Sequence, residues 1–130
     1  CNLACEYCFY LEKKHVVPHT EKFRMAPDVL ESFIRQKIEA HRVDTVHFTW
    51  QGGEPTLLGL DYFKQVVKLQ QKYADGKQIQ NGFQTNGVLL DDAWCRFFAE
   101  HHFLIGLSVD GPETIHDQYR KTTSGGGSFK

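Results

Sequence analysis

Between Pro27 and His41 the apolar residues Val29, Leu30, Phe33, Ile34 and Ile38 recur at three and four, a spacing that predicts an amphipathic helix. Ala26-Pro27-Asp28 suits its start: proline lacks an N–H that would go unbonded in the first turn, and an acidic residue there meets the positive end of the helix. Thr45 to Trp50 is β-branched and aromatic and stops at Gly52-Gly53, which predicts a strand. From Asp61 to Tyr73 the helical spacing returns in Tyr62, Phe63, Val66, Val67 and Leu69/Gln70, with Asp75-Gly76 as the stop. Gln78 to Thr85 predicts a second strand leading into Asn86-Gly87, and Asp91 to His101 a third helix with Trp94, Phe97 and Phe98 turned inward. Phe103 to Val109 is an almost unbroken apolar run, as expected of a strand covered on both faces, before Asp110-Gly111-Pro112 turns the chain.

The order is therefore α-β-α-β-α-β with short connections, for which parallel strands joined by right-handed crossover helices are the natural solution, and the fold class is α/β. In such sheets sites gather at the carboxyl ends of the strands. Gly52-Gly53-Glu54, Thr85-Asn86 and the pair Ser108 and Asp110 all fall there. No repeat is visible beyond this rhythm, and the low-complexity SGGGS reads as a loop.

Composition narrows the function classes. With 130 residues, 41% hydrophobic, the chain can bury the core of one domain. Its 15 Lys+Arg against 16 Asp+Glu offer no general attraction to nucleic acid or to an anionic membrane, and neither is expected as a partner. No apolar run approaches the roughly 18 to 20 residues that span a bilayer, so a soluble, cytoplasmic protein is expected. Opening on Cys1 without Met and closing on SGGGSFK predicts a piece of a longer protein, incomplete at both ends.

Four cysteines match two disulfides in number, but Cys1, Cys5 and Cys8 are too crowded to pair off and Cys95 stands far away. Clustered thiols favour a metal and a reducing compartment. Three thiolates spaced x-x-x/x-x in one loop suit an iron–sulfur cluster with one iron left for an outside ligand. Zinc stays open as the alternative; it usually takes four protein ligands, and the nearest further donors are His15 and His19.

The stretch CNLACEYCFY, with an aromatic before its third cysteine, resembles the CxxxCxφC motif of the radical S-adenosylmethionine (radical SAM) superfamily. WQGGEPTLLG, QTNG and LSVDGPETIHDQYR followed by GGGSF resemble later motifs of that superfamily in family order, and their wording is similar to anaerobic sulfatase-maturating enzymes across nearly all 130 residues. The resemblance implies a fragment of a partial (βα)6 barrel, with residues 1–130 as its core domain. It implies a [4Fe-4S] cluster on Cys1, Cys5 and Cys8, and S-adenosylmethionine contacted by Tyr7, Gly52, Glu54, Ser108 and Arg120, with Asn86 a further contact. It implies cleavage of S-adenosylmethionine to a 5′-deoxyadenosyl radical that oxidises a Cys or Ser of a sulfatase polypeptide to Cα-formylglycine, with a protein reductant as partner and the general base outside this chain. Tyr10 and Gln51 are expected on the substrate side.

Plainer readings stand beside these. Another peptide-modifying maturase, or a zinc-stabilised regulatory module without catalysis, would use the same cysteines. Outside its context GGEP is an ordinary turn, Ser108 a small residue at a strand end, Arg120 a solvated charge and Asp110-Gly111 only a turn. Cys95 is expected as a buried helix residue, and His47 as structural.

Overall fold

The predicted helices and strands all form in the computed structural model, which describes residues 1–10 and 24–129; the connection through Pro18, with His15 and His19, lies outside them. Helix α1 (Pro27–Ala40) has Pro27 at its first turn and buries Leu30, Ile34 and Ile38, one residue per turn. Strand β1 (Thr45–Trp50) follows, then a short 3-10 turn (Pro55–Leu58) and α2 (Leu60–Tyr73). Strand β2 (Gln78–Thr85) leads to α3 (Asp92–Glu100), whose first free N–H groups, those of Ala93 and Trp94, donate to the Asp91 carboxylate at 2.9 Å each. Strand β3 (Leu104–Leu107) and α4 (Glu113–Tyr119) complete the order.

The three strands form one parallel sheet in the order β1-β2-β3. Its register sets Trp50 beside Phe83 and Phe83 beside Ile105, so these three side chains share one face. On that face lies the core. Phe63 is fully buried there, its ring centroid 5.6 Å from Trp50, 4.9 Å from Phe83 and 5.8 Å from Trp94, all edge-on. Such aromatic pairs each add about 0.5–1.5 kcal/mol beyond the area they bury. Polar groups within this layer are paired: Trp50 Nε1 and Gln70 Nε2 each donate to Asn81 Oδ1 at 2.9 Å, and Asn81 Nδ2 donates to Gln70 Oε1 at 2.8 Å. The opposite face carries His47, Thr49, Gln80 and Gln84, exposed or half-buried among the described residues.

Two expectations need correction, and one helix was not foreseen. The apolar run ending at Val109 forms a strand of only four residues, and it is not covered on both faces: Leu104 is 77% exposed and Leu107 55%. Among the described residues β3 is an edge of this sheet, paired on one side only. Cys95 is exposed, because Trp94, Phe97 and Phe98 form the inward stripe of α3 and the next residue on a helix points about 100° away. The helix α4 follows the Asp110-Gly111-Pro112 turn without an apolar stripe to announce it, and its one buried residue is His116. Among the described residues no helix is long and apolar enough to cross a membrane.

A candidate cofactor cleft at the ends of the strands

The cysteine loop has no regular structure of its own and is held by the chain on both sides. Along one side it runs antiparallel to the residues after α4. Leu3 bridges Thr122, Ala4 N–H donates to the Lys121 carbonyl at 2.8 Å, Glu6 N–H donates to that of Tyr119 at 3.0 Å, and the Lys121 ammonium donates to Glu6 Oε1 at 2.6 Å. Leu3 is buried beneath this ladder. On the other side Asn86 Nδ2 donates to Asn2 Oδ1 at 2.8 Å and lies 3.9 Å from Cys1 Sγ. The Cys1 backbone also passes so close to Gly53 that a Cβ there would stand 3.2 Å from the Cys1 nitrogen, so glycine at 53 is a matter of room.

Between the loop and the strand ends lies a cleft of about 310 Å³. Cys1, Cys5, Cys8, Tyr7, Gly52, Glu54, Ser108 and Arg120 all line it, and so do Tyr10, Gln51 and Asn86. The residues singled out in sequence, scattered over 120 positions, thus meet at one place.

Each arrives there for a local reason. A Cβ at Gly52 would meet nothing within 4 Å, so main chain faces open space at the end of β1. Glu54, 6% exposed, spends its carboxylate on the chain itself: Oε1 accepts from Thr56 N–H (3.1 Å), Thr56 Oγ1 (2.7 Å) and Thr85 Oγ1 (2.8 Å), and Oε2 accepts from Asn86 N–H (2.8 Å). It ties the turn after β1 to the end of β2. Ser108 Oγ accepts from Gln84 Nε2 at 2.9 Å, which leaves the serine proton free to be donated elsewhere. That amide lies across Gly106, where a Cβ would sit 2.2 Å from Gln84 Oε1.

Arg120 and Tyr7 meet over Asp110. Arg120 Nε is 3.0 Å from Asp110 Oδ2, an ion pair whose alignment leaves the buried Nε without a hydrogen bond, and the Tyr7 hydroxyl donates a short hydrogen bond to the same oxygen. The guanidinium also stands over the Tyr7 ring, 5.5 Å from its centroid. Burial, then the bond to Asp110, pushes the Tyr7 phenol up to about 12. The Tyr7 hydrogen bond, aided by Arg120, holds the Asp110 carboxyl below its ordinary range. Burial pushes the Cys5 thiol up, and the charge of Arg120 pulls against that shift.

The thiol set fits an iron–sulfur cluster: all four cysteines are free and three of them line one cleft, and a cubane offers each of three thiolates its own iron with one iron left for an outside ligand. Of the residues at this site, Asp110 was read both as a strand-end candidate and as a plain turn, with no partner assigned, and Gln84 and His116 carried no assigned role. The spacing of Asp110, His116, Asp117 and Arg120 within one DGPETIHDQYR motif was the available signal.

Comparison with known proteins agrees with this geometry. The family model of the radical SAM superfamily matches residues 1–130. The chain is 48% identical over 129 residues to a serine-type anaerobic sulfatase-maturating enzyme of Bacteroides thetaiotaomicron, covering 99% of this chain and 31% of that protein. It is 40% identical over 134 residues to a cysteine-type anaerobic sulfatase-maturating enzyme of Clostridium perfringens, covering 99% and 35%. The solved structure described as native anSMEcpe with bound AdoMet superposes with a TM-score of 0.89 at 41% identity, over 99% of this chain and 34% of that one. The chain therefore spans about a third of the length of the curated relatives it matches. With three cysteines and the strand ends enclosing one cleft, and with the family model matched from end to end, this chain belongs to the radical SAM superfamily.

Proposed function

We propose that this chain is the cofactor-binding part of an enzyme that uses S-adenosylmethionine and a [4Fe-4S] cluster to oxidise a Cys or Ser of a sulfatase polypeptide to Cα-formylglycine. The observation that carries the reading is the convergence of Cys1, Cys5 and Cys8 with Tyr7, Gly52, Glu54, Ser108 and Arg120 on one cleft. Relatives named as sulfatase-maturating enzymes support the substrate class, as does a solved relative described with both bound AdoMet and a Kp18Cys peptide.

The three thiolates hold the cluster. What the two cofactors supply together is one-electron reductive cleavage of a sulfonium, a source of hydrogen-abstracting power. The chain's own residues bind and orient. Main chain at Gly52 admits a ligand closely, and Ser108, with its acceptor side already taken by Gln84, presents its proton to an acceptor. Arg120 offers a cation for the carboxylate of S-adenosylmethionine. Glu54 holds the turns after β1 and β2 in register, and its Oε2 keeps capacity for one more donor, such as an ammonium. The general base belongs to the part of the relatives' length that this chain does not span. A protein reductant is required to charge the cluster, and free thiols are consistent with a cytoplasmic setting.

The test is anaerobic cluster reconstitution of the full-length protein, followed by assay of 5′-deoxyadenosine and formylglycine with and without a sulfatase peptide. Iron and sulfide, with peptide-dependent formation of both products, support the proposal. Stoichiometric zinc without iron or sulfide overturns it, and 5′-deoxyadenosine without formylglycine transfers it to another peptide-modifying maturase.

A further inference from the structure

We propose that Asp110 is a positioning residue for the cofactor wall, holding Arg120 and Tyr7 in the one arrangement in which both face S-adenosylmethionine; this rests on the function proposed above. One carboxylate oxygen serves both partners, the Arg120 guanidinium at 3.0 Å and the Tyr7 hydroxyl. Those partners come from opposite ends of the chain, and each is a long side chain with rotamers to lose. Arg120 is held in place by charge and by the Tyr7 ring rather than by a hydrogen-bonded fork, since its Nε is buried and unbonded. Its remaining nitrogens donate to no described residue, so the fork that recognises carboxylates is kept for a ligand.

Asp110 is itself fixed from behind. Its N–H donates to Nδ1 of buried His116 at 3.4 Å, and His116 Nε2 stands 3.1 Å from Ser128 Oγ. Ser128 Oγ in turn donates to the Arg120 carbonyl at 2.7 Å, while the Arg120 N–H donates to the carbonyl of His116 at 2.8 Å. The backbones of Asp110 and Arg120 are thus clamped to one buried imidazole, and the ion pair spans a fixed gap. Loss of the carboxylate charge leaves the clamp intact but frees the guanidinium to leave the cleft. A ligand must then immobilise Arg120 on binding, which weakens affinity by about tenfold.

The experiment uses the full-length, cluster-loaded protein and S-adenosylmethionine itself as probe, comparing wild type with Asp110→Asn, Arg120→Met, the double variant and Tyr7→Phe. In Asp110→Asn, affinity and KM for S-adenosylmethionine worsen about tenfold while kcat, iron content and melting temperature hold. In Tyr7→Phe, which removes only the brace, affinity falls a few-fold. The double variant falls only a few-fold below Arg120→Met, about what Tyr7→Phe costs alone, because the larger part of Asp110's effect passes through the guanidinium. The inference is overturned if Asp110→Asn binds as wild type does, if the two losses multiply, or if the Asp110→Asn defect is lost cluster or lowered stability, which makes the ion pair a staple for the cysteine loop. If wild type with full iron does not bind S-adenosylmethionine, the function proposed above fails instead.

Discussion

The helix-covered face of the sheet and the cleft at its carboxyl edge are built by different rules. The helix-covered face is filled by Val46, Phe48, Trp50 and Phe83 against Leu30, Ile34, Phe63, Trp94 and Phe98, side chains that repeat at two along strands and at three and four along helices. At the carboxyl edge of the same strands, the cleft is held by single polar contacts between residues far apart: Asn86 to Asn2, Thr85 to Glu54, Asp110 to Tyr7, Glu6 to Lys121. Hydrophobic burial is non-directional and tolerates substitution of like for like, whereas each of these polar contacts depends on one atom pair. The core therefore sets stability and the cleft sets chemistry, and substitutions separate the two.

The sharpest separation is expected from Cys8→Ala. Cluster iron and S-adenosylmethionine cleavage should fall to background, while the denaturant midpoint of the metal-free protein stays within error of wild type. A shared loss of stability would show that the loop and the core are one unit. Next is the converse, Phe63→Ala, which removes the ring that packs edge-on against Trp50, Phe83 and Trp94 and should cost about 3–5 kcal/mol in denaturant unfolding.

Glu54→Gln tests the seam between the two regions. The amide keeps one acceptor oxygen for the Thr56 and Thr85 donors and turns its NH2 against the Asn86 N–H, so a loss of about 1–3 kcal/mol is expected, with a few-fold weaker affinity for S-adenosylmethionine. The smallest effect belongs to Asp117, whose Oδ1 accepts from Phe129 N–H at 2.9 Å and Ser128 N–H at 2.8 Å. The Phe129 bond leads in holding this carboxyl below its ordinary range. A depressed folded value means that the contribution to stability is complete above the unfolded value of about 3.9 and is lost as pH falls through the folded one. The melting temperature of Asp117→Asn should therefore differ slightly from wild type at neutral pH and converge with it in acid. A gap that persists at low pH would contradict this.

How much of this was readable in advance follows the same division. β1 runs from Thr45 to Trp50, the residues its β-branched and aromatic content marks out, β2 runs from Gln78 to Thr85, the stretch leading into Asn86-Gly87, and α1, α2 and α3 end within a residue or so of their periodic stretches. The run at β3 misled because apolar content reports what could be buried, and Leu104 and Leu107 are exposed among the described residues. The glycines after Ser124 read as a loose loop. They are a fitted turn, since a Cβ at Gly127 would lie 2.1 Å from Asp117 Oδ2.

The sequence by itself determined the α/β order and the inward stripes of the helices, which are properties of spacing along one chain, and the resemblance of its CxxxCxφC, GGEP and DGPxxxHDxxR patterns to a known family implied the residues Tyr7, Gly52, Glu54, Ser108 and Arg120 that line the cleft. Only the tertiary structure decided that Glu54 is engaged by its own turns, that Cys95 faces outward, and that Asp110 lies beneath both Tyr7 and Arg120. A carboxylate's partners are set by which backbones fold alongside it, and a contact across 103 positions leaves no trace in the residues beside it.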